Sequence, residues 1–66
     1  MEAIGMKQWI KILDNETTET FKNSCKWIEA GTGTLASSIK FKDTGETCLL
    51  CYDTITNEIF ILKEVQ

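Results

Sequence analysis

Histidine, arginine and proline are all absent from this 66-residue chain. Without histidine, no side chain has an unperturbed pKa suited to general-base work near neutrality, no Ser-His or Cys-His nucleophile pair can form, and no imidazole can ligate a metal. Without arginine, the bidentate contacts that read phosphate and guanine are missing. The seven basic residues are therefore all lysines, set against ten acidic residues for a net charge of −3. No apolar run approaches the ~18 residues of a membrane-spanning helix. Met1 to Met6 also shows no basic stretch followed by an apolar one, so the expected location is the cytoplasm. These absences point away from enzymes, membrane proteins and nucleic-acid binders, and they predict no cofactor.

The length predicts a single domain over 1–66, and a hydrophobic share of 42% with a charged share of 26% is the composition of a folding chain rather than a disordered one. Cys25, Cys48 and Cys51 make an odd set, which suits a reducing compartment better than a disulfide framework.

Placed at about 100° per residue, Phe21, Ser24, Cys25, Trp27 and Ile28 share one arc while Lys22, Asn23, Lys26 and Glu29 share the opposite one. The pattern predicts an amphipathic helix over about 17–30, with cap candidates at Asn15 to Thr18 and Gly31 as its stop. A strand reading competes, because Phe21, Cys25 and Trp27 also share a face at period two. Met6 to Leu13 fits both periods as well. A short isoleucine-rich run beginning after Gly5 and ending at the turn pair Asp14-Asn15 favours a strand there over an eight-residue helix.

From Leu35 onward the pattern is β. Ile39 to Phe41, a turn at Asp43-Thr-Gly45, Thr47 to Tyr52, a turn at Asp53 to Asn57 and Ile59 to Leu62 predict a three-stranded antiparallel meander. The expected fold is therefore α+β: one helix on an antiparallel sheet with an N-terminal strand, or alternatively two helices followed by three strands. Alternation sets Cys48, Leu50 and Tyr52 against Leu49 and Cys51, and Ile59 and Ile61 against Phe60 and Leu62. Both faces of the predicted sheet are apolar, and one helix covers only one of them. The other needs a second helix, a fold-back of the sheet, or another copy of the chain.

Cys48-Leu-Leu-Cys51 has the spacing of a zinc or redox pair, but only Cys25 and Asp53 are at hand to complete a ligand set, and in a strand the two thiols point to opposite faces. Small buried hydrophobes are the better reading, and no metal is expected. Gly31-Thr-Gly33 follows the predicted helix and so faces its negative end, which suits a cap and not a phosphate loop. Lys7, Lys11, Lys22 and Lys26 are interspersed with Glu16, Glu19 and Glu29, a solvated mixed-charge face and not a nucleic-acid patch. Trp9 and Trp27, with Tyr52 and Phe60, are the candidate contact residues, since a chain this small cannot bury both tryptophans easily.

In general format, a very short, acidic, proline-free α+β chain without a catalytic constellation resembles the small accessory proteins of phages and other mobile elements. The likeness is one of size and composition. With the two-faced apolar sheet and the tryptophans, it points to a non-enzymatic homo-oligomer, most simply a dimer, that binds and inhibits a host protein in the host cytoplasm. The alternative is a protein that sequesters a nucleotide-like small ligand in a pocket between protomers, using Thr32, Thr34 and Lys40 and the aromatic rings, in a chain with nine threonines.

Overall fold

The structure is a computed structural model and describes residues 6–65; the reading of Met1 to Met6 as leaderless and of Gly5 as the start of the first segment falls outside it except for Met6. Five strands and one helix follow in the order β1 (Met6–Lys11), α1 (Asn15–Ser24), β2 (Ile28–Gly31), β3 (Thr34–Lys40), β4 (Thr47–Asp53) and β5 (Glu58–Val65). All strand pairings are antiparallel and the spatial order is β1-β5-β4-β3-β2. The meander predicted for the C-terminal half is present, and β2 lengthens it to four strands. The first segment is the N-terminal strand, which closes onto β5, so the two-helix alternative is excluded.

Helix α1 is shorter than 17–30 and starts earlier. Its N-cap is Asp14, whose carboxylate accepts from the Thr17 backbone N–H at 2.7 Å and from the Thr17 hydroxyl at 2.5 Å, while the Thr18 hydroxyl donates to the Asp14 carbonyl. Ten residues that include three threonines make a marginal helix alone, so packing of Thr18 and Phe21 on the sheet holds it. It stops at Cys25, whose N–H bonds the Phe21 carbonyl, and the Trp27 indole N–H takes the Lys22 carbonyl at 3.2 Å. The segment assigned by phase to the helix's last turn is instead extended: Ile28 pairs with Ala36 and Glu29 with Leu35. Helical and strand periods both fit Trp27 while Ile28 fits the helical arc, and pairing with β3 makes the chain from Ile28 a strand.

The Gly31-Thr-Gly33 stretch is accordingly not a helix cap. It forms the β2–β3 hairpin turn, with Gly33 at φ +72°. The Gly33 carbonyl accepts from both the backbone N–H and the hydroxyl of Thr54, which ties this turn to the β4–β5 turn. In that second turn the Asp53 carboxylate accepts from the N–H groups of Ile55 and Thr56, an Asx arrangement. The β3–β4 turn carries Gly45 at φ +73°, as the Asp43-Thr-Gly45 pattern predicts.

The chain leaves one edge of the sheet at β1, crosses a single face as α1 and re-enters at the opposite edge as β2. That path makes one covered and one open face. Cys48, Leu50, Tyr52, Ile59 and Ile61 form the buried core on the covered face, sealed by Ile12, Phe21, Cys25, Trp27, Leu35, Ile39 and Phe41. Among the described residues only Leu50 and Ile59 are wholly excluded from solvent, a small core even for this length. Among the described residues no helix is long and apolar enough to cross a membrane.

Candidate interaction surface

The open face follows from the strand register. Across it, Lys11 pairs with Phe60, Phe60 with Cys51, Cys51 with Ala36 and Ala36 with Ile28, a row spanning all five strands. The neighbouring row runs from Trp9 to Leu62, then by the same register to Leu49 and on to Ser38. Cross-strand partners share a face, so these apolar side chains are contiguous. Trp9 is 51% exposed, Leu49 53% and Ile28 70%, while Phe60, Leu62 and Cys51 are half-buried only by one another and by the strands beside them. An exposed apolar patch of this kind makes this face the candidate contact surface.

Charges sit at its margins. Lys11 and Glu58 form an ion pair at 2.5 Å, and the Lys11 ammonium, helped by Thr56, holds the Glu58 carboxyl below its ordinary value of 4.5. Lys40 stands at one end of the face on β3 and Asp53 at the other end on β4, next to the start of β3.

The four contact candidates divide into two pairs. Trp9 and Phe60 lie on the open face. Trp27 and Tyr52 lie on the covered face, with ring centroids 5.5 Å apart and planes tilted by 53°, and the Tyr52 hydroxyl donates to the Asn57 side-chain oxygen at 2.7 Å. With Tyr52 buried and Trp27 half-buried, that pair closes the core beside the helix C-terminus. Ile28 and Leu49, also exposed on the open face, were not among the four candidates. The alternation of β4 already points Leu49 outward, whereas Ile28 was hidden by the helical phase of its neighbours.

Thr32 is exposed in the β2–β3 turn, Thr34 begins β3 and Lys40 ends it. Six residue steps of strand carry the chain from Thr34 to Lys40, about 20 Å. The structure does not bring the three together within a protomer. The lysines likewise divide: Lys7 and Lys11 on β1, Lys26 and Lys40 at the far side of the sheet, and Lys22 on α1, 3.9 Å from Glu19 and over the Tyr52 ring.

Cys48 points into the core and Cys51 onto the open face, as strand alternation predicts. The Cys48 thiol donates to a Glu46 carboxylate oxygen at 3.1 Å; that hydrogen bond and burial push its pKa up. Burial also pushes up Cys25, against the hydrogen bond with Ser37. Neither is an activated thiolate. Among the described residues no three of Cys, Asp and Glu gather as a metal would require.

Between the C-terminal end of α1 and the outer edge of β3 lies a groove of about 830 Å³, with Phe21, Cys25, Ile28 and Ile39 among its walls and Lys26 and Lys40 at its rim. Compared with protein-family models, with curated proteins and with solved structures, the chain matches none. The functional reading therefore rests on the residues themselves.

Proposed function

We propose that this protein is a small non-enzymatic interaction module that self-associates through its open sheet face and, in that form, binds and inhibits a host protein in the manner of phage or mobile-element accessory proteins. The observation that carries the reading is the double row of Trp9, Leu62 and Leu49 beside Phe60, Cys51 and Ile28, uncovered by any element of the described chain. A two-fold axis lying across the strands would stack the two open faces and reverse their ends, setting Lys40 of each protomer over the Thr34 and Asp53 end of its partner. From strand spacing and rise, the face offers about 500 Å² per protomer. That is below the ~800 Å² per partner of a standard interface, so the dimer should dissociate on dilution.

Sedimentation over a concentration series from about 1 to 500 μM tests the assembly, and affinity capture from host lysate with native mass spectrometry tests the host partner. A monomer throughout the series would defeat the self-association; capture of no protein would defeat the inhibitor reading. The alternative, a nucleotide-like ligand held between protomers by Thr32, Thr34 and Lys40, depends on that dimer, because within one protomer the threonines and the lysine sit at opposite ends of β3. A retained small mass in the native spectrum would favour it.

A further inference from the structure

Strand β2 is four residues long and pairs only with Thr34–Ala36, while β4 covers β3 along its whole length. The reason lies just upstream. Trp27 is anchored to the Lys22 carbonyl and to the Tyr52 ring, and the Lys26 carbonyl accepts from the Ser37 hydroxyl at 2.8 Å, so the chain before Ile28 turns over the covered face and leaves the edge. Among the described residues the outer side of Ser37–Lys40 therefore has no strand beside it, and its backbone makes no hydrogen bond other than those to β4. Alternate residues of this segment direct N–H and C=O groups outward into the 830 Å³ groove.

We infer that this edge receives an acidic, extended peptide segment of a partner protein, added as a further strand beside β3. Backbone pairing to Ser37–Lys40 would supply register. Apolar side chains on one side of the added strand would meet Phe21, Cys25 and Ile39, and acidic ones on the other would meet Lys40 at the rim. The sign of the partner follows from the rim: Lys26 and Lys40 line the groove with no Asp or Glu, in a chain of net charge −3, and neither lysine joins an ion pair among the described residues. A second copy fits poorly, because its free edge at β1 brings Lys7 and Lys11, and its own β3 edge brings another Lys26 and Lys40. A free phosphate group fits poorly too, since α1 presents its negative C-terminal end here.

The inference rests on the reading as an interaction protein but not on self-association. The probe is an acetylated, amidated hexapeptide of alternating glutamate and valine, titrated to about 1 mM into ¹⁵N-labelled protein. Its controls are the same peptide N-methylated at the valines, a lysine-valine peptide, and inorganic phosphate. Expected are saturable shifts and slowed amide exchange centred on Ser37–Lys40. Binding should weaken at least tenfold on N-methylation, and as much in Lys26→Glu/Lys40→Glu, which should now prefer the lysine-valine peptide. No saturation, equal binding of the N-methylated peptide, or the same shifts with phosphate alone would overturn the edge-pairing inference, as would shifts centred on β1. Sedimentation of the same samples reads self-association separately, so either idea can fail while the other stands.

Discussion

The same three strands, β1, β5 and β4, present large apolar side chains to both faces of the sheet, yet the two faces meet different fates. On one, Leu50 and Ile59 are wholly buried and Cys48, Tyr52 and Ile61 nearly so; on the other, Trp9 and Leu49 remain about half exposed. Side-chain chemistry does not separate them, since leucine, isoleucine, cysteine and aromatic residues occur on both. The path of the chain does. A crossover from the β1 edge to the β2 edge can pass over only one face, and the ten residues of α1 bury a single side chain of their own, Thr18, while Phe21 packs partly. Burial in this molecule is assigned by topology, and the face left open is free for another use.

The contrast is broken most severely at its buried end. Leu50→Ala removes three carbons from a fully enclosed site and should cost about 2–5 kcal/mol, a large share of the stability of a domain this small. Leu49→Ala, one residue along on the other face, should change the stability of dilute monomer by no more than about 0.5 kcal/mol. Urea unfolding at low micromolar concentration compares them directly. Equal losses would mean that the two faces are equally packed in the protomer and that the open face is not open.

A charge sharpens the same division. Ile61→Lys places an ammonium in the core and should abolish folding, as read by loss of far-UV circular dichroism. Phe60→Lys points to the open face, where it should leave the spectrum intact and reduce self-association by at least tenfold in sedimentation. Unfolding by Phe60→Lys would show that this ring contributes to the protomer core and not to a contact between protomers.

How far this division was legible beforehand differed along the chain. Period-two alternation from Cys48 to Tyr52 and from Ile59 to Leu62 was enough to assign both faces, because a strand flanked by turn residues leaves side chains only two directions. The turns at Gly45 and at Asp53 to Asn57 were equally plain. Residues 25–30 were not. Trp27 satisfies a helical stripe and a strand face alike and Ile28 the helical stripe, and what selects the extended chain is a set of distant groups: Ala36 across the ladder, the Tyr52 ring and the Ser37 hydroxyl on the Lys26 carbonyl. The same local error moved Gly31 and Gly33 from a hairpin to a helix end. It also hid Ile28 from the open face and concealed the shortness of β2, and with it the free edge of β3.

The hairpin itself gives a smaller effect. Gly33→Ala forces an alanine to φ +72° and brings its Cβ to 3.0 Å from the Ile55 Cδ1, at the junction where Thr54 bonds the Gly33 carbonyl. The backbone penalty is about 1–2 kcal/mol, and Ile55, exposed at a turn, can move aside. Gly45→Ala should show the backbone penalty alone, since nothing lies within 4 Å, and Gly31→Ala, with neither feature, should be close to neutral. Thermal unfolding of the three variants should rank them in that order; a Gly31→Ala loss as large as that of Gly33→Ala would place the turn elsewhere.

The smallest effect is at the start of the crossover that covers one face, where Asp14 caps α1. The Thr17 hydroxyl and then the Thr17 N–H hold its carboxyl below the ordinary value of 3.8, as Lys11 holds Glu58 below 4.5. A carboxylate with a depressed folded-state pKa contributes stability that is fully present above its unfolded value and is lost as pH falls through the folded one. The cap's contribution is therefore constant from neutrality down to about pH 5 and fades below about pH 4. Asp14→Ala should lower the melting temperature by a few degrees at pH 7, with the difference shrinking as the pH drops and the wild-type carboxyl takes up its proton. Asp14→Asn keeps an oxygen for the Thr17 N–H but cannot titrate, so it should lie between the two at pH 7 and meet the wild type at low pH. Salt discriminates further: the exposed Lys11–Glu58 pair is screened by 0.5 M NaCl, whereas the short Thr17 bonds are not. A gap between wild type and Asp14→Ala that stays constant from pH 7 to pH 2 would show that the carboxylate's charge plays no part in holding the crossover in place.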